Sequence, residues 1–126
     1  MLVGSYSPLY MAASILQIAY TSTLLQTRQM ILEQNGYKVV SALGNDQGIA
    51  SASTGCFDVI MVGFSERHST RKEVIRRLRQ CAPNIPVVVL LAHEYERFPD
   101  ADFATLSEDP NKWLGAVADC VKSHRS

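Results

Sequence analysis

Residues 57–64 read FDVIMVGF and contain an uninterrupted run of β-type apolar residues from Val59 to Val62. A run of this length is typical of a short strand that is buried on both faces. Such strands occur in parallel sheets, because helices cover both faces of those sheets. We therefore predict a strand over residues 58–62 within a parallel sheet.

Apolar runs and amphipathic helical patterns alternate on both sides of this strand. The other predicted strands cover residues 14–19, 37–42, 87–91 and 103–106. The helix starts are marked by Thr21 or Ser22, by Asn45 or Asp46, by a capping box of Thr70 and Glu73, and by Asp109 followed by Pro110. Successive βα units need right-handed crossovers and place helices on both faces of one sheet. We therefore predict an α/β fold, a doubly wound five-stranded parallel sheet in the order 2-1-3-4-5.

The length and composition fit one packed domain. The chain has 126 residues, and 47% apolar against 19% charged residues favours a core over disorder. We expect residues 1–13 to be a flexible extension and residues 14–123 to form the domain. The formal net charge is +0, so no overall field attracts nucleic acid or an anionic membrane. Apolar runs reach about seven residues, whereas a membrane-spanning helix needs roughly 20.

Three cysteines, Cys56, Cys81 and Cys120, are widely spaced, and no C-x-x-C pair occurs. This spacing excludes the common zinc and dithiol redox motifs. We expect three buried thiols with a structural role, and a cytoplasmic location.

Five pieces of the chain, taken in order, resemble the receiver domain of two-component response regulators. They are SILQIAY (14–20), EQNGYKVVSA (33–42), FDVIMVGF (57–64), EVIRRLRQ (73–80) and PNIPVVVLLA (83–92). The resemblance spans residues 14–122, nearly the whole predicted domain. It implies a flavodoxin-like topology and a role in signal transduction.

The resemblance also implies a phosphorylation site at the carboxyl ends of the strands, but this sequence lacks the required residues. In receivers, acidic residues after the first strand hold Mg²⁺, and an aspartate after the third strand accepts the phosphoryl group. A hydroxyl residue ends the fourth strand, and a lysine ends the fifth. The matching positions here are Ala19, Tyr20, Gly63, Leu91 and Ser107. None of them supplies a carboxylate to hold Mg²⁺ or to form an aspartyl phosphate, so we predict a degenerate phosphorylation pocket, no cofactor and no enzyme activity.

The connection between the fourth and fifth predicted strands departs from the family as well. Only residues 93–102 remain there, about ten, where a receiver fits a helix and two loops. We predict that the fourth helix is shortened or missing. Because this region belongs to the usual output face of receivers, the resemblance does not indicate how a partner binds. We also expect Tyr20 and Phe64 to fill the vacated pocket.

Charge is unevenly distributed along the chain. Six cations fall within residues 66–79, namely Arg67, Arg71, Lys72, Arg76, Arg77 and Arg79, and six carboxylates fall within residues 94–109. One interpretation is a solvated helix face beside an acidic loop. The other is a docking surface that meets an acidic partner or the acidic loop of another copy. The sequence disfavours direct binding to nucleic acid, because it lacks interleaved aromatic residues and a recognition-helix motif.

These features together predict a phosphorylation-independent pseudo-receiver, a protein–protein interaction module in signal transduction. Its expected partner is a signalling or regulatory protein, or a second copy of the chain, and no membrane. The alternative is a flavodoxin-like domain with a rearranged metal- or small-ligand-binding site at the carboxyl edge of the sheet. The residues available for such a site are Glu66, His68, His93, Glu94, Glu108 and Asp109.

Overall fold

A computed structural model describes residues 12–125, and they contain five strands and four helices. The strands are β1 (Ser14–Ala19), β2 (Lys38–Leu43), β3 (Val59–Val62), β4 (Val87–Leu91) and β5 (Phe103–Leu106). The helices are α1 (Ser22–Gln34), α2 (Gly44–Thr54), α3 (His68–Cys81) and α4 (Pro110–Arg125).

The strands form one parallel sheet in the order β2-β1-β3-β4-β5. This order confirms the predicted doubly wound topology. The segment from Ala92 to Asp102, which joins β4 to β5, contains no helix, so the prediction of a missing fourth helix is confirmed too. A tertiary contact replaces that helix: Phe98 folds back from the segment and is buried in the core.

The sheet separates two apolar cores, because side chains of each strand alternate between its faces. One core lies under α2 and α3 and includes Ile18, Ile60, Val74 and Leu78. The other lies against α1 and α4 and includes Ile15, Leu32, Met61 and Trp113. Every residue of β3 and β4 is buried, as expected for central strands of a doubly wound sheet.

Two predicted helix starts, at Thr21 and at Asp109, are confirmed. Thr21 caps α1, since its Oγ1 accepts a hydrogen bond from the Leu24 backbone N–H at 3.3 Å. Gly36 follows α1 with φ at 89°, a left-handed conformation that favours glycine. Asp109 caps α4 by accepting from the Asn111 N–H at 3.1 Å.

Two other predicted caps are wrong. Helix α2 already begins at Gly44, and Asn45 instead binds Tyr20 and the Thr70 carbonyl. Helix α3 begins at His68, so Thr70 lies inside its first turn and does not cap it. The His68 ring, at the first residue of α3, stacks on Phe98 with centroids 4.1 Å apart, a tertiary contact that a local capping pattern does not include.

Residues on either side of the predicted range 14–123 contact the sheet. Residues 1–11 of the predicted flexible extension lie outside the described residues, but Ala13 is buried and its carbonyl accepts a bond from Lys38 N–H at 2.9 Å. At the other end, α4 continues to Arg125, whose Nε lies 3.1 Å from Asp58 Oδ1. This ion pair ties the last helical turn to the start of β3.

The cysteine prediction is correct for one residue of three. Cys120 is buried against the α4 side of the sheet, and burial raises its thiol pKa to about 11. Cys56 and Cys81 are free and exposed: Cys56 lies in the loop between α2 and β3, and Cys81 is the last residue of α3. None of the helices in residues 12–125 has the length and apolar character needed to cross a bilayer.

Candidate functional site

The five predicted pocket positions lie at one edge of the sheet, because parallel strands all end on the same side. Ala19 and Leu91 are the last residues of β1 and β4, and Tyr20, Gly63 and Ser107 follow the ends of β1, β3 and β5. Backbone bonds hold the loops in place: Gly63 N–H donates to Ile18 O at 2.7 Å, and Ser107 N–H donates to Leu91 O at 2.8 Å.

Tyr20 joins three elements at this edge. Its hydroxyl donates to Asn45 Oδ1 at 2.6 Å, and Asn45 Nδ2 donates to the Thr70 carbonyl at 3.0 Å. Burial raises the pKa of Tyr20 well above its usual value, although the positive charge of Arg71 opposes that shift. Tyr20 is therefore a neutral phenol that fixes the loop after β1 against α2 and α3.

Arg28, a residue of α1, takes the space where a side chain at position 63 would begin. It is only 5% exposed. A Cβ atom on Gly63 would lie 2.6 Å from Arg28 Nη1 and 2.9 Å from the Ile18 carbonyl oxygen, both far inside van der Waals contact. Glycine is thus needed at position 63 for space, and the guanidinium occupies the volume that a larger residue would claim.

Sequence reasoning did not identify Arg28 as a site residue. One signal was available: Arg28 falls between Leu25 and Leu32 on the apolar stripe of α1, at helical spacing. A cation on such a stripe is directed into the core unless its side chain reaches solvent. Here it is directed toward the strand ends, past Ala19 and Gly63, which are too small to block it.

The guanidinium of Arg28 has no counter-ion within residues 12–125, and its Nη1 has no hydrogen-bond partner there. Burial lowers its pKa, but an arginine starts so high that it stays charged at neutral pH. Two further buried polar atoms in the described chain lack partners, Gln17 Oε1 and Arg71 Nε. Both belong to side chains that are otherwise bonded, Gln17 through Nε2 to Ser41 Oγ at 2.8 Å and Arg71 to Glu96.

Arg71 is the second buried arginine near the strand ends. Only 1% of it is exposed, and its Nη1 donates to the Leu90 carbonyl at 3.0 Å and to Glu96 Oε1 at 3.1 Å. Its Nη2 donates to Glu96 Oε2, which completes a bidentate ion pair. The guanidinium carbon lies 5.1 Å from the Phe64 ring centroid and 4.8 Å from that of Phe98.

The location of Arg71 corrects the predicted docking surface. We predicted this residue among the six cations of a candidate docking surface, but it points into the protein. The reason is its position on α3: Arg71 lies three and four residues before Val74 and Ile75, on the face that packs on the sheet. It can neutralise Glu96 but cannot contact a partner.

Glu96 organises the segment between β4 and β5. Burial alone would raise its pKa, yet Arg71, the Ala92 N–H at 2.7 Å and His68 Nδ1 at 3.4 Å lower it to about 2. One carboxylate thus accepts bonds from α3 and from its own loop. We call Arg71, Glu96, His68 and Phe98 the clasp, and it takes the place of the missing fourth helix.

Three more cations of the predicted docking surface are paired within the chain. Arg79 Nη2 lies 2.8 Å from Asp102 Oδ2, and its Nε donates to the Asp100 carbonyl. Arg76 pairs with Glu73, and Arg77 pairs with Asp46. No ion pair to Arg67 or Lys72 occurs among residues 12–125. The acidic segment after β4 therefore neutralises part of α3 in the same molecule.

The structure does not bring the carboxylates and histidines of the alternative site together. His68 contacts Glu96 rather than Glu66, and the exposed ring of His93 stacks on Tyr95 with centroids 5.0 Å apart. Asp109 is occupied as a helix cap. In the part of the chain that the structure describes, no three His, Cys, Asp or Glu residues are arranged to hold a metal ion.

Several solved structures with closely similar backbones are response regulator receiver domains. No protein-family model and no curated protein sequence matches this chain. The CheY-like receiver domain protein of Methanospirillum hungatei JF-1 has 16% identity and a TM-score of 0.78, over 90% of this chain and 97% of that one. Response regulator TrrA of Thermotoga maritima, in complex with Mg²⁺ and BeF, has 15% identity and a TM-score of 0.74, over 86% and 98%. An adenylate cyclase structure from Rhodopirellula baltica has 20% identity and a TM-score of 0.76, over 90% of each chain. At these identities the likeness establishes that the chain has the CheY-like receiver fold.

Proposed function

We propose that this chain is a pseudo-receiver, a non-enzymatic interaction module that works in signal transduction without being phosphorylated. One observation carries the proposal. Where receivers place the aspartate that accepts the phosphoryl group, this chain has Gly63, and Arg28 Nη1 lies in the space that the aspartate side chain would need. A cation has replaced an anion at the centre of the pocket.

This exchange acts against both steps of receiver chemistry. Mg²⁺ requires oxygen ligands, and Ala19 and Tyr20 supply no carboxylate after β1. A buried guanidinium also repels a metal ion: two unit charges 4 Å apart repel by about 4 kcal/mol at an effective dielectric constant near 20, and a divalent ion roughly doubles that. Even without the metal, Gly63 has no side chain on which an acyl phosphate could form.

The direct test is incubation with Mg²⁺ and acetyl phosphate, followed by intact-mass spectrometry. We expect no change in mass, while a receiver that keeps its acidic residues, treated in the same way, gains one phosphoryl group of about 80 Da. An added phosphoryl group that maps to an acid-labile carboxylate in this chain would refute the proposal.

The interaction surface that we propose is smaller than the six cations of the sequence prediction. Arg71 is internal, and Arg79 holds the segment before β5. Two of the six cations, Arg67 and Lys72, have no ion pair to any residue that the structure describes, and they lie at the start of α3 beside the clasp. An acidic signalling protein, or the acidic segment of a second copy, is the complementary partner for this end of α3.

A further inference from the structure

Arg28 presents an energetic problem that the described chain leaves unsolved. Removing a charged group from water without a partner costs several kcal/mol, so buried charges in proteins are nearly always paired. Arg28 is 5% exposed, and its Nη1 is enclosed without a hydrogen-bond partner. The other buried arginine, Arg71, has a bidentate carboxylate partner in Glu96. Arg28 is therefore the buried cation whose charge stays unmatched within residues 12–125.

The described residues around Arg28 explain why its charge has no partner among them. Its Nη1 lies between the ends of β1 and β3, beside Gly63 and close to the Ile18 carbonyl. Ala19, the last residue of β1, and Gly63, the residue after β3, have no polar side-chain atoms. The phenol of Tyr20 is neutral and already donates to Asn45.

We propose that Arg28 anchors a non-covalent binding site for a small oxyanion, a phosphate or carboxylate group, at the carboxyl edge of the sheet beside Gly63. A guanidinium offers planar, forked N–H donors whose spacing matches two oxygens of such a group. The anion neutralises the buried charge and accepts a hydrogen bond from Nη1, the donor that has no partner among the described residues. This goes beyond the pseudo-receiver proposal, which stands or falls with phosphorylation and not with anion binding.

The test is thermal unfolding of the protein in sodium phosphate, sodium acetate or sodium chloride at equal ionic strength. A ligand that binds only the folded state raises Tm by mass action. We expect a saturable rise of about 5 °C at ten times the dissociation constant in phosphate or in acetate, and no such rise in chloride. A larger response to phosphate indicates a phosphate-bearing ligand, and a larger response to acetate indicates a carboxylate.

Two variants show whether Arg28 is responsible. Arg28→Gln removes the charge, and we expect it to abolish the anion response. Arg67→Gln removes the same charge from an exposed residue at the N-terminal end of α3, and we expect it to keep the response. The proposal is overturned if neither anion raises Tm in the wild type, or if Arg28→Gln responds as the wild type does.

A second measurement applies if Arg28→Gln does not fold. In ¹H–¹⁵N spectra of the wild-type protein, the Arg28 Nε–H signal should shift on titration with inorganic phosphate while the Arg67 Nε–H signal stays in place. An Arg28 signal that does not move at saturating phosphate would overturn the proposal in the same way.

Discussion

Gly63 and Arg28 form a matched pair in which each residue explains the other. The glycine has an ordinary backbone conformation, since the positive-φ glycines among the described residues are Gly36 and Gly44. Space is the reason that position 63 is glycine: a Cβ there would meet Arg28 Nη1 at 2.6 Å and the Ile18 carbonyl oxygen at 2.9 Å. The Arg28 side chain can move slightly to make room, but the Ile18 carbonyl oxygen belongs to the backbone of β1 and is held by the sheet.

Gly63→Ala should therefore destabilise the protein, by about 1–3 kcal/mol, because overpacking strains a closely packed site. Urea unfolding followed by circular dichroism measures the change. Gly115→Ala is the matched control: a Cβ at Gly115 meets nothing within 4 Å, and the residue is exposed in α4. There alanine should add about 0.5–1 kcal/mol of stability through its helix propensity. Equal effects at the two sites would contradict this account of Gly63.

The clasp is what allows a connection of eleven residues, Ala92 to Asp102, to replace a helix. Phe98 supplies apolar burial, and Glu96 supplies a buried carboxylate that is only 11% exposed and accepts from α3 and from Ala92. Without those bonds the segment would not be tied to α3, and the buried Arg71 would have no counter-charge. The connection thus depends on contacts distant in sequence, whereas a helix would supply its own backbone bonds.

Glu96→Gln should lower the free energy of unfolding by about 3 kcal/mol, because it leaves the buried Arg71 without a counter-charge. Glu94→Gln changes an exposed carboxylate two residues away and should stay within about 0.5 kcal/mol of the wild type. Chemical denaturation at pH 7 compares the three proteins. Similar losses in both variants would show that loop charge in general, and not the clasp, stabilises this segment.

The same variant should also change the pH dependence of stability. The pKa of Glu96 is about 2 in the folded protein, below the value of about 4.3 expected for an unfolded chain. Its contribution is fully present above about pH 4.5 and is lost as pH falls toward 2. Glu96→Gln should therefore lose less stability than the wild type between pH 5 and 2. Some loss should remain in both proteins, because the pKa of Asp58 is also lowered: desolvation raises it, but bonds from Arg125, Ser14 N–H and His124 lower it further. Parallel curves would contradict the assignment.

The whole molecule is electrically neutral, and much of its charge is paired internally. The acidic segment before β5 binds α3 through Glu96 and Asp102, and the end of α4 binds Asp58. A formal net charge of +0 gives no overall field that would attract nucleic acid. Of the six cations of the predicted docking surface, Arg67 and Lys72 are the two that lack an ion pair among residues 12–125.

If Arg67 and Lys72 serve binding rather than folding, their reversal should not affect stability. We expect the double variant Arg67→Glu, Lys72→Glu to unfold within about 0.5 kcal/mol of the wild type, as is usual for exposed residues without partners. Arg79→Glu, which breaks bonds to Asp102 and to the Asp100 carbonyl, should be clearly less stable. A large loss in the double variant would mean that these two cations have a structural role, and would remove them from the proposed surface.

Local sequence patterns were sufficient for the order of elements and for the missing helix. Apolar runs such as Val87–Leu91 identify buried strands without knowledge of their neighbours, because burial on both faces leaves no polar alternation. The caps at Thr21 and Asp109 depend on bonds within one turn, and both were predicted correctly. Chain length alone excluded a full helix between β4 and β5, since residue count is a property of sequence.

Only the tertiary structure decided what fills the pocket and where the cations of α3 point. The sequence shows that carboxylates are absent at Ala19 and Gly63. It does not show that the side chain of Arg28, from the middle of α1, occupies the space beside Gly63. It shows six cations in residues 66–79, but not that Arg71 turns inward to Glu96. Patterns in sequence report which face of an element is apolar. Whether a long charged side chain crosses that face to find a distant partner depends on packing between elements, which no local pattern contains.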